Sequence, residues 1–198
     1  MALNRIREVA KGDIAVKAGK LLEILGGLES ALVAFSGGVD SSLLLAAAFE
    51  ALHGNVLAVT ASSPTYPRRE LENARQIARL IGCEHLIIKT HEIDDPNFSQ
   101  NPIERCYHCK RTLFALLKVM AEKRGLKAVI EGSTSEDLGD FRPGERALVE
   151  LGVQSPLRQA DFMKDDVRTL AHLIGLPNWN QPPRACLASR FPYGVEIT

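Results

Sequence analysis

The sequence predicts an α/β fold, a doubly wound parallel sheet, and three observations lead there. Short apolar runs alternate with helical segments along most of the chain. Glycines close the helical segments, as Gly82 and Gly125 do. A Ser-Gly-Gly-Val-Asp-Ser string also breaks the pattern between one apolar strand and one apolar helix. Strands joined by helical crossovers pair in parallel, because a right-handed crossover returns the chain to the edge it left.

Leu21, Ile24, Leu25 and Leu28 recur at helical spacing and precede the run Ala31–Phe35, which reads as the first strand. After Ser36–Ser42 the segment Leu43–His53 is apolar enough to be buried on most sides. Val56–Thr60 is the second predicted strand, and a helix over Pro67–Leu80 presents Leu71, Ala74, Ile77, Ala78 and Ile81 to the core. His85–Thr90 is the third strand; the next helix carries Leu113, Leu116, Leu117 and Met120. Ala128–Glu131 is the fourth strand, and the polar segment Gly132–Gly144 reads as a functional loop. A short helix, a short strand over Val153–Ser155 and a helix with Met163, Val167, Leu170 and Ile174 on one face follow. Residues 1–178 are expected to form one domain, and 179–198 a proline-rich segment around Cys186.

Hydrophobic residues make up 45% of the 198, enough for one soluble core and too many for a disordered chain. Basic and acidic residues number 24 each, so no whole-molecule field draws the protein to nucleic acid or an anionic membrane. The longest apolar run, Leu43–Phe49, is too short to cross a bilayer, and the N-terminus has no apolar signal core. These features predict a cytoplasmic protein with no membrane partner. Four cysteines in a chain of this length do not form a disulfide scaffold.

Ser36, Gly37, Gly38, Val39, Asp40 and Ser41 sit where free amides and a helix dipole favour an anion. The glycines let backbone approach phosphate, and the serines add hydroxyl donors. No Gly-Lys-Ser/Thr follows, and no lysine near the loop is expected to reach a γ-phosphate. Such a cradle suits an enzyme that holds pyrophosphate as leaving group while the α-phosphorus is attacked, giving an adenylate. The string resembles the PP-loop of the N-type ATP pyrophosphatases, whose fold is adenine nucleotide alpha-hydrolase-like, with ATP at the carboxyl ends of the strands. That places Gly132 of Glu131-Gly-Ser133 beside the nucleotide and aims Asp137, Asp140 and Arg142 at the same crevice.

Cys106-Tyr-His-Cys109 opens a helix beside Arg105, Lys110 and Arg111, an arrangement that predicts favoured thiolates. Its spacing alone admits a redox dithiol, half a zinc site or two ligands of an iron–sulfur cluster. Cys186 lies between Arg184 and Arg190, cations that lower a thiol pKa and bind anionic groups. Cys83, next to Gly82, reads as core.

Together, Ala34–Ser41, Asn101–Lys110, Glu131–Gly144 and Ala185–Gly194 resemble the LarE-type ATP-dependent sulfur transferases. The resemblance covers most of the chain, and its last stretch is the most specific. It implies that ATP, with Mg2+, adenylates a carboxylate of pyridinium-3,5-biscarboxylic acid mononucleotide, a small nucleotide substrate. Sulfur then replaces the adenylate to give a thiocarboxylate, a step toward the nickel-pincer nucleotide cofactor. Some members sacrifice the sulfur of a cysteine matching Cys186; others hold a [4Fe-4S] cluster on three cysteines. The presence of Cys106, Cys109 and Cys186 favours the cluster version, with Cys186 at the catalytic centre. Asp137, Asp140, Arg142, Arg184 and Arg190 are the candidates for substrate or magnesium. The Pro182-Pro-Arg184 lead-in departs from the family pattern, which weights Arg190 over Arg184. The resemblance also implies a homo-oligomer and a C-terminal segment beyond Pro192-Tyr-Gly194. A tRNA-thiolating enzyme, against which the neutral charge and few aromatics argue, and a non-catalytic nucleotide-binding protein are the rival readings.

Overall fold

In the computed structural model, which describes residues 3–139, 143–182 and 186–198, the alternation of side chains along each strand decides what covers the sheet. The strands are β1 (Ala31–Ala34), β2 (Val56–Ser62), β3 (Glu84–Lys89) and β4 (Ala128–Ile130), all parallel in the order β3-β2-β1-β4. Ala31, Val33, Val56, Ala58, Ala128 and Ile130 point to one face. Leu32, Leu57, Val59 and Val129 point to the other. Both faces are apolar, so both must be covered.

The first face carries α2 (Gly12–Gly26), α3 (Val39–Ala51), α4 (Arg68–Ile81) and α9 (Lys164–Ile174). The α3 helix is the central one, buried from Ser41 through Ala48, as its unbroken apolar run requires. The second face is covered by α6 (Arg105–Lys123) through Phe114, Leu117 and Ala121, with Leu148 of α7 (Pro143–Glu150). Short helices α1 (Ile6–Val9), α5 (Pro96–Ser99) and α8 (Pro156–Gln159) complete the elements used below. The α4 and α9 helices each stop at a left-handed glycine, Gly82 and Gly175.

The expected strand at Val153–Ser155 shrinks to a single parallel bridge between Ile130 and Gln154, because the chain turns into α8 at Pro156. Leu116 and Met163, expected on core faces, are 41% and 42% exposed. Leu116 lies off the sheet-facing stripe of α6, and Met163 precedes α9 as its N-cap. Among the described residues no helix is long and apolar enough to cross a membrane.

Candidate active site

The described segments that carry candidate residues approach the carboxyl ends of the strands, where a parallel sheet opens its crevice. The Ser36–Ser41 loop follows β1 and ends as the first turn of α3, whose N-cap Gly38 receives no side-chain cap. The first-turn amides are therefore not taken by a capping side chain, which is how an anion site is built. The loop is braced from below. Asn73 and Asn178 each donate to the Gly37 carbonyl at 3.0 Å, and Asn178 also donates to Ser42 Oγ. Ser41 and Ser42 hydroxyls donate back to the Gly38 carbonyl, and Thr60 donates to the Phe35 carbonyl at 2.6 Å.

Gly37 has φ +78°, and a Cβ there would sit 3.0 Å from the Ala74 Cβ and 3.1 Å from its Cα. Gly37→Ala therefore has two faults, a left-handed alanine and a clash with α4. We expect it to destabilise the fold by at least about 2 kcal/mol, read by chemical denaturation. Gly132, at the end of β4, is pressed against the start of α3: its Cβ would lie 3.1 Å from Ser41 N and 3.2 Å from the Asp40 carbonyl carbon. Glu131 beside it is buried and accepts from Ser133 N, the Ser133 hydroxyl and the Ser155 hydroxyl. The strand-four loop is thereby locked to the phosphate loop.

Asp137 does not project freely from that loop. It is 3% exposed, and its Oδ2 accepts from Thr134 N at 2.7 Å. It meets the phosphate loop through Lys164, whose Nζ lies 2.7 Å from Asp40 Oδ2 and 3.6 Å from Asp137 Oδ2. This corrects the expectation of a site without lysine: none follows Gly38 in sequence, but the N-terminus of α9 brings one in. Arg168, one turn further along α9, and Arg190 face the same cleft. Asp140, Arg142 and Arg184 lie outside the described residues.

The cleft has a volume of about 610 Å3 and is lined by Ser36, Gly38, Val39 and Asp40 on one side and by Cys186 and Arg190 on the other. Cys186 precedes a 3-10 turn, Leu187–Arg190, held from two directions. Leu187 N donates to the Thr65 carbonyl at 3.1 Å, and buried Arg105 donates to the Ala188 carbonyl at 2.7 Å and to Asn101 Oδ1. Asn101, fully buried with φ +56°, donates to the Phe191 and Pro192 carbonyls. These bonds carry the Cys186 turn onto the helix that bears Cys106 and Cys109. Cys109 and Cys186 pack on the same small cluster of Phe98, Ala188 and Ile197.

Arg105 thus serves the loop and not the sulfurs. The expected thiolate at Cys109 is overturned: burial, then Glu92 and the other two cysteines, push its thiol up to about 12, and Lys110 only partly offsets them. Glu92 is itself charged; burial works to raise its carboxyl, but hydroxyls of Ser63 and Thr65 hold it below its ordinary value. In iron-free protein, alkylation of Cys109 should still be accelerating at pH 10, whereas an ordinary thiol levels off near its pKa of about 8.5. A raised folded-state pKa adds stability that is complete below the ordinary thiol value and lost as pH rises toward 12. Mass spectrometry of Cys109 peptides across pH 7–11 checks this.

Arg105→Met leaves the Asn101 side-chain oxygen without this donor and the Ala188 carbonyl with the Phe191 amide as its remaining one. We expect a loss of about 3 kcal/mol and displacement of Cys186, with ATP binding retained because the Arg105 bonds among the described residues go to Asn101 and Ala188 and not to the phosphate loop. Thermal denaturation and nucleotide titration read the two parts separately.

Among the described residues, no group of three or more His, Cys, Asp or Glu side chains is arranged to hold a metal ion. Cys106, Cys109 and Cys186 share a neighbourhood without converging on a point. Sequence reasoning missed Lys164, Arg168, Asn73, Asn178 and Tyr66. Tyr66 shares one cavity wall with Cys109 and another with Cys186; burial first, then Cys109, Cys186, Glu92 and Cys106, drive its phenol far above the ordinary range, so it stays neutral.

The profile of a family described as "Queuosine biosynthesis protein QueC" matches residues 30–177. The pyridinium-3,5-bisthiocarboxylic acid mononucleotide synthase of Lactiplantibacillus plantarum is 37% identical over 186 residues, 93% of this chain and 67% of that one. The chain belongs to the LarE-type sulfur transferases of the PP-loop superfamily. Another relative of this LarE-type chain, an uncharacterized protein of Synechocystis sp., is 44% identical over 92% of this chain and 68% of its own. In fold, the NH3-dependent NAD synthetase of Campylobacter jejuni superposes with a TM-score of 0.66 over 92% of this chain and 80% of its own at 19% identity. The NMN synthetase of Francisella tularensis also gives 0.66, at 16% identity over 87% of this chain and 76% of its own. The adenine nucleotide alpha-hydrolase-like fold expected of this LarE-type chain is the one observed.

Proposed function

We propose that this enzyme adenylates a carboxylate of pyridinium-3,5-biscarboxylic acid mononucleotide with ATP and converts it to a thiocarboxylate, forming AMP and pyrophosphate. The observation that carries the reading is that one cleft is lined at once by the phosphate loop and by Cys186, so activation and sulfuration share a chamber. The product named for the Lactiplantibacillus plantarum relative is the one this chemistry yields.

In the first step a substrate carboxylate oxygen attacks the α-phosphorus, and pyrophosphate leaves with the electron pair of the broken bridge. The amides of the Ser36–Ser41 loop and the N-terminal end of α3 hold the outer phosphates. Lys164, Arg168 and Arg190 oppose the charge that develops on the leaving group. Asp40 fits Mg2+: its Oδ1 is buried with no hydrogen-bond partner, a costly state for a carboxylate oxygen that a cation would relieve. Asp137, tied to the same lysine, stands next in line. In the second step a sulfur nucleophile adds to the acyl carbon and AMP departs with the oxygen, releasing one proton and leaving the thiocarboxylate.

The donor set also fits a [4Fe-4S] cluster on Cys106, Cys109 and Cys186. Cys109 and Cys186 pack on one small cluster, and a buried thiol held protonated would ionise on giving up its proton to bind metal. Such a cluster, held by these three cysteines, would supply sulfide to the activated acyl group. Family resemblance further implies a homo-oligomer acting on a small nucleotide.

The test incubates anaerobically purified protein with ATP and the biscarboxylate substrate. Substrate-dependent pyrophosphate and a product heavier by the difference between sulfur and oxygen are expected. ATP binding without substrate-dependent pyrophosphate would reject the assignment. Iron and acid-labile sulfide assays on the same preparation test the cluster: their absence from active protein returns Cys186 to a sacrificial role.

A further inference from the structure

The nucleotide cleft is not the only cavity that reaches a sulfur. A second hollow of about 280 Å3 lies between α6 and the segment after β3, with Cys109 in its wall and Phe98, Leu113 and Leu116 as its apolar lining. Tyr66 lines both cavities. Cys186 belongs to the cleft and Cys109 to the hollow.

The two cavities differ in charge. The cleft gathers Lys164, Arg168 and Arg190 beside a helix N-terminus, which suits a polyanion. In the hollow Lys89 is set against Glu92 and Asp95, with His91 and His108 beside them. Ser63 and Thr65 hold the Glu92 carboxylate in place. The hollow has no excess of cations, a small volume and an apolar lining, so it excludes a nucleotide and disfavours small anions.

We infer that this hollow is the binding site and inlet for the sulfur donor, a small neutral molecule of the thiol class, of which hydrogen sulfide is the smallest. This rests on the sulfur-transferase reading. It gives the enzyme two doors: nucleotide and substrate occupy the cleft, while sulfur reaches the cysteines through the hollow without displacing either. An enzyme whose adenylate must be shielded from water gains from such a separation, since the activated acyl group need not be uncovered for the donor to arrive.

The test uses iron-free protein, its free thiols alkylated with neutral iodoacetamide or anionic iodoacetate and followed by peptide mass spectrometry. Cys109 should prefer iodoacetamide over iodoacetate at least about tenfold more strongly than Cys186 does, because only the cleft attracts anions. Saturating ATP should protect Cys186 and leave Cys109 reactive. Leu116→Trp, at an exposed position on the rim, should slow Cys109 by about tenfold and leave Cys186 unchanged, whereas Leu116→Ala should label at Cys109 as fast as the parent. With sodium sulfide as donor, Leu116→Trp should lower thiocarboxylate formation while pyrophosphate release holds. If ATP protects both cysteines equally, or if Leu116→Trp leaves Cys109 labelling unaltered, the hollow is not the inlet. Absence of pyrophosphate release in the parent protein would instead count against the assigned reaction, and the labelling results would stand apart from it.

Discussion

Cys186→Ala should abolish thiocarboxylate formation, by at least about a thousand-fold, while substrate-dependent pyrophosphate release continues. The separation follows from where the sulfur sits. Cys186 lines the cleft, yet the turn that carries it is held by Thr65 and Arg105 and, among the described residues, has no hydrogen bond to the phosphate loop. Removing its sulfur leaves the adenylating half of the site intact, so the acyl-adenylate should accumulate or hydrolyse. Coupled pyrophosphate and product-mass assays read the two halves. Intact mass of the parent protein after turnover then assigns the sulfur source. An unchanged mass is expected for a cysteine that serves as ligand, and conversion to dehydroalanine would contradict that role.

Lys164→Met should reduce adenylation by about a hundred- to a thousand-fold, the scale on which one charge-stabilising donor contributes to a transition state. The lysine bridges Asp40 and Asp137, and its loss leaves two carboxylates facing each other across the mouth of the phosphate loop. Two effects therefore add: the outer phosphates lose a cation, and the cleft gains net negative charge. Raised magnesium should restore part of the rate, because a divalent cation can neutralise the same carboxylates, whereas it should not rescue Gly37→Ala. Pyrophosphate release measured over a magnesium series distinguishes the variants.

The parallel sheet and the phosphate loop were legible because both are local. Apolar alternation, terminal glycines and the Ser36–Ser41 string each declare themselves within a dozen residues. Lys164 did not, since it stands 124 positions from Asp40 and becomes a loop residue only once α9 packs beside α3. Asn178 is farther still, 141 positions from the Gly37 carbonyl it holds. The thiolate expectation failed at Cys109 for a related reason: burial and then Glu92, which folding brings near from the segment after β3, outweigh the neighbouring Lys110. Arg105 turns its guanidinium toward Asn101 and Ala188. The short strand at Val153–Ser155 failed because Pro156 ends the extended run before a ladder can form.

The clasp formed by Asn101 and Arg105 grips the far segment at the oxygens of Ala188, Phe191 and Pro192, all of them main-chain atoms. A grip of that kind is blind to the side chain of the residue whose oxygen it takes. Leu187, which lines the cleft and is held through its amide, is therefore the place where a different acyl acceptor could be recognised with the least harm to sulfur delivery.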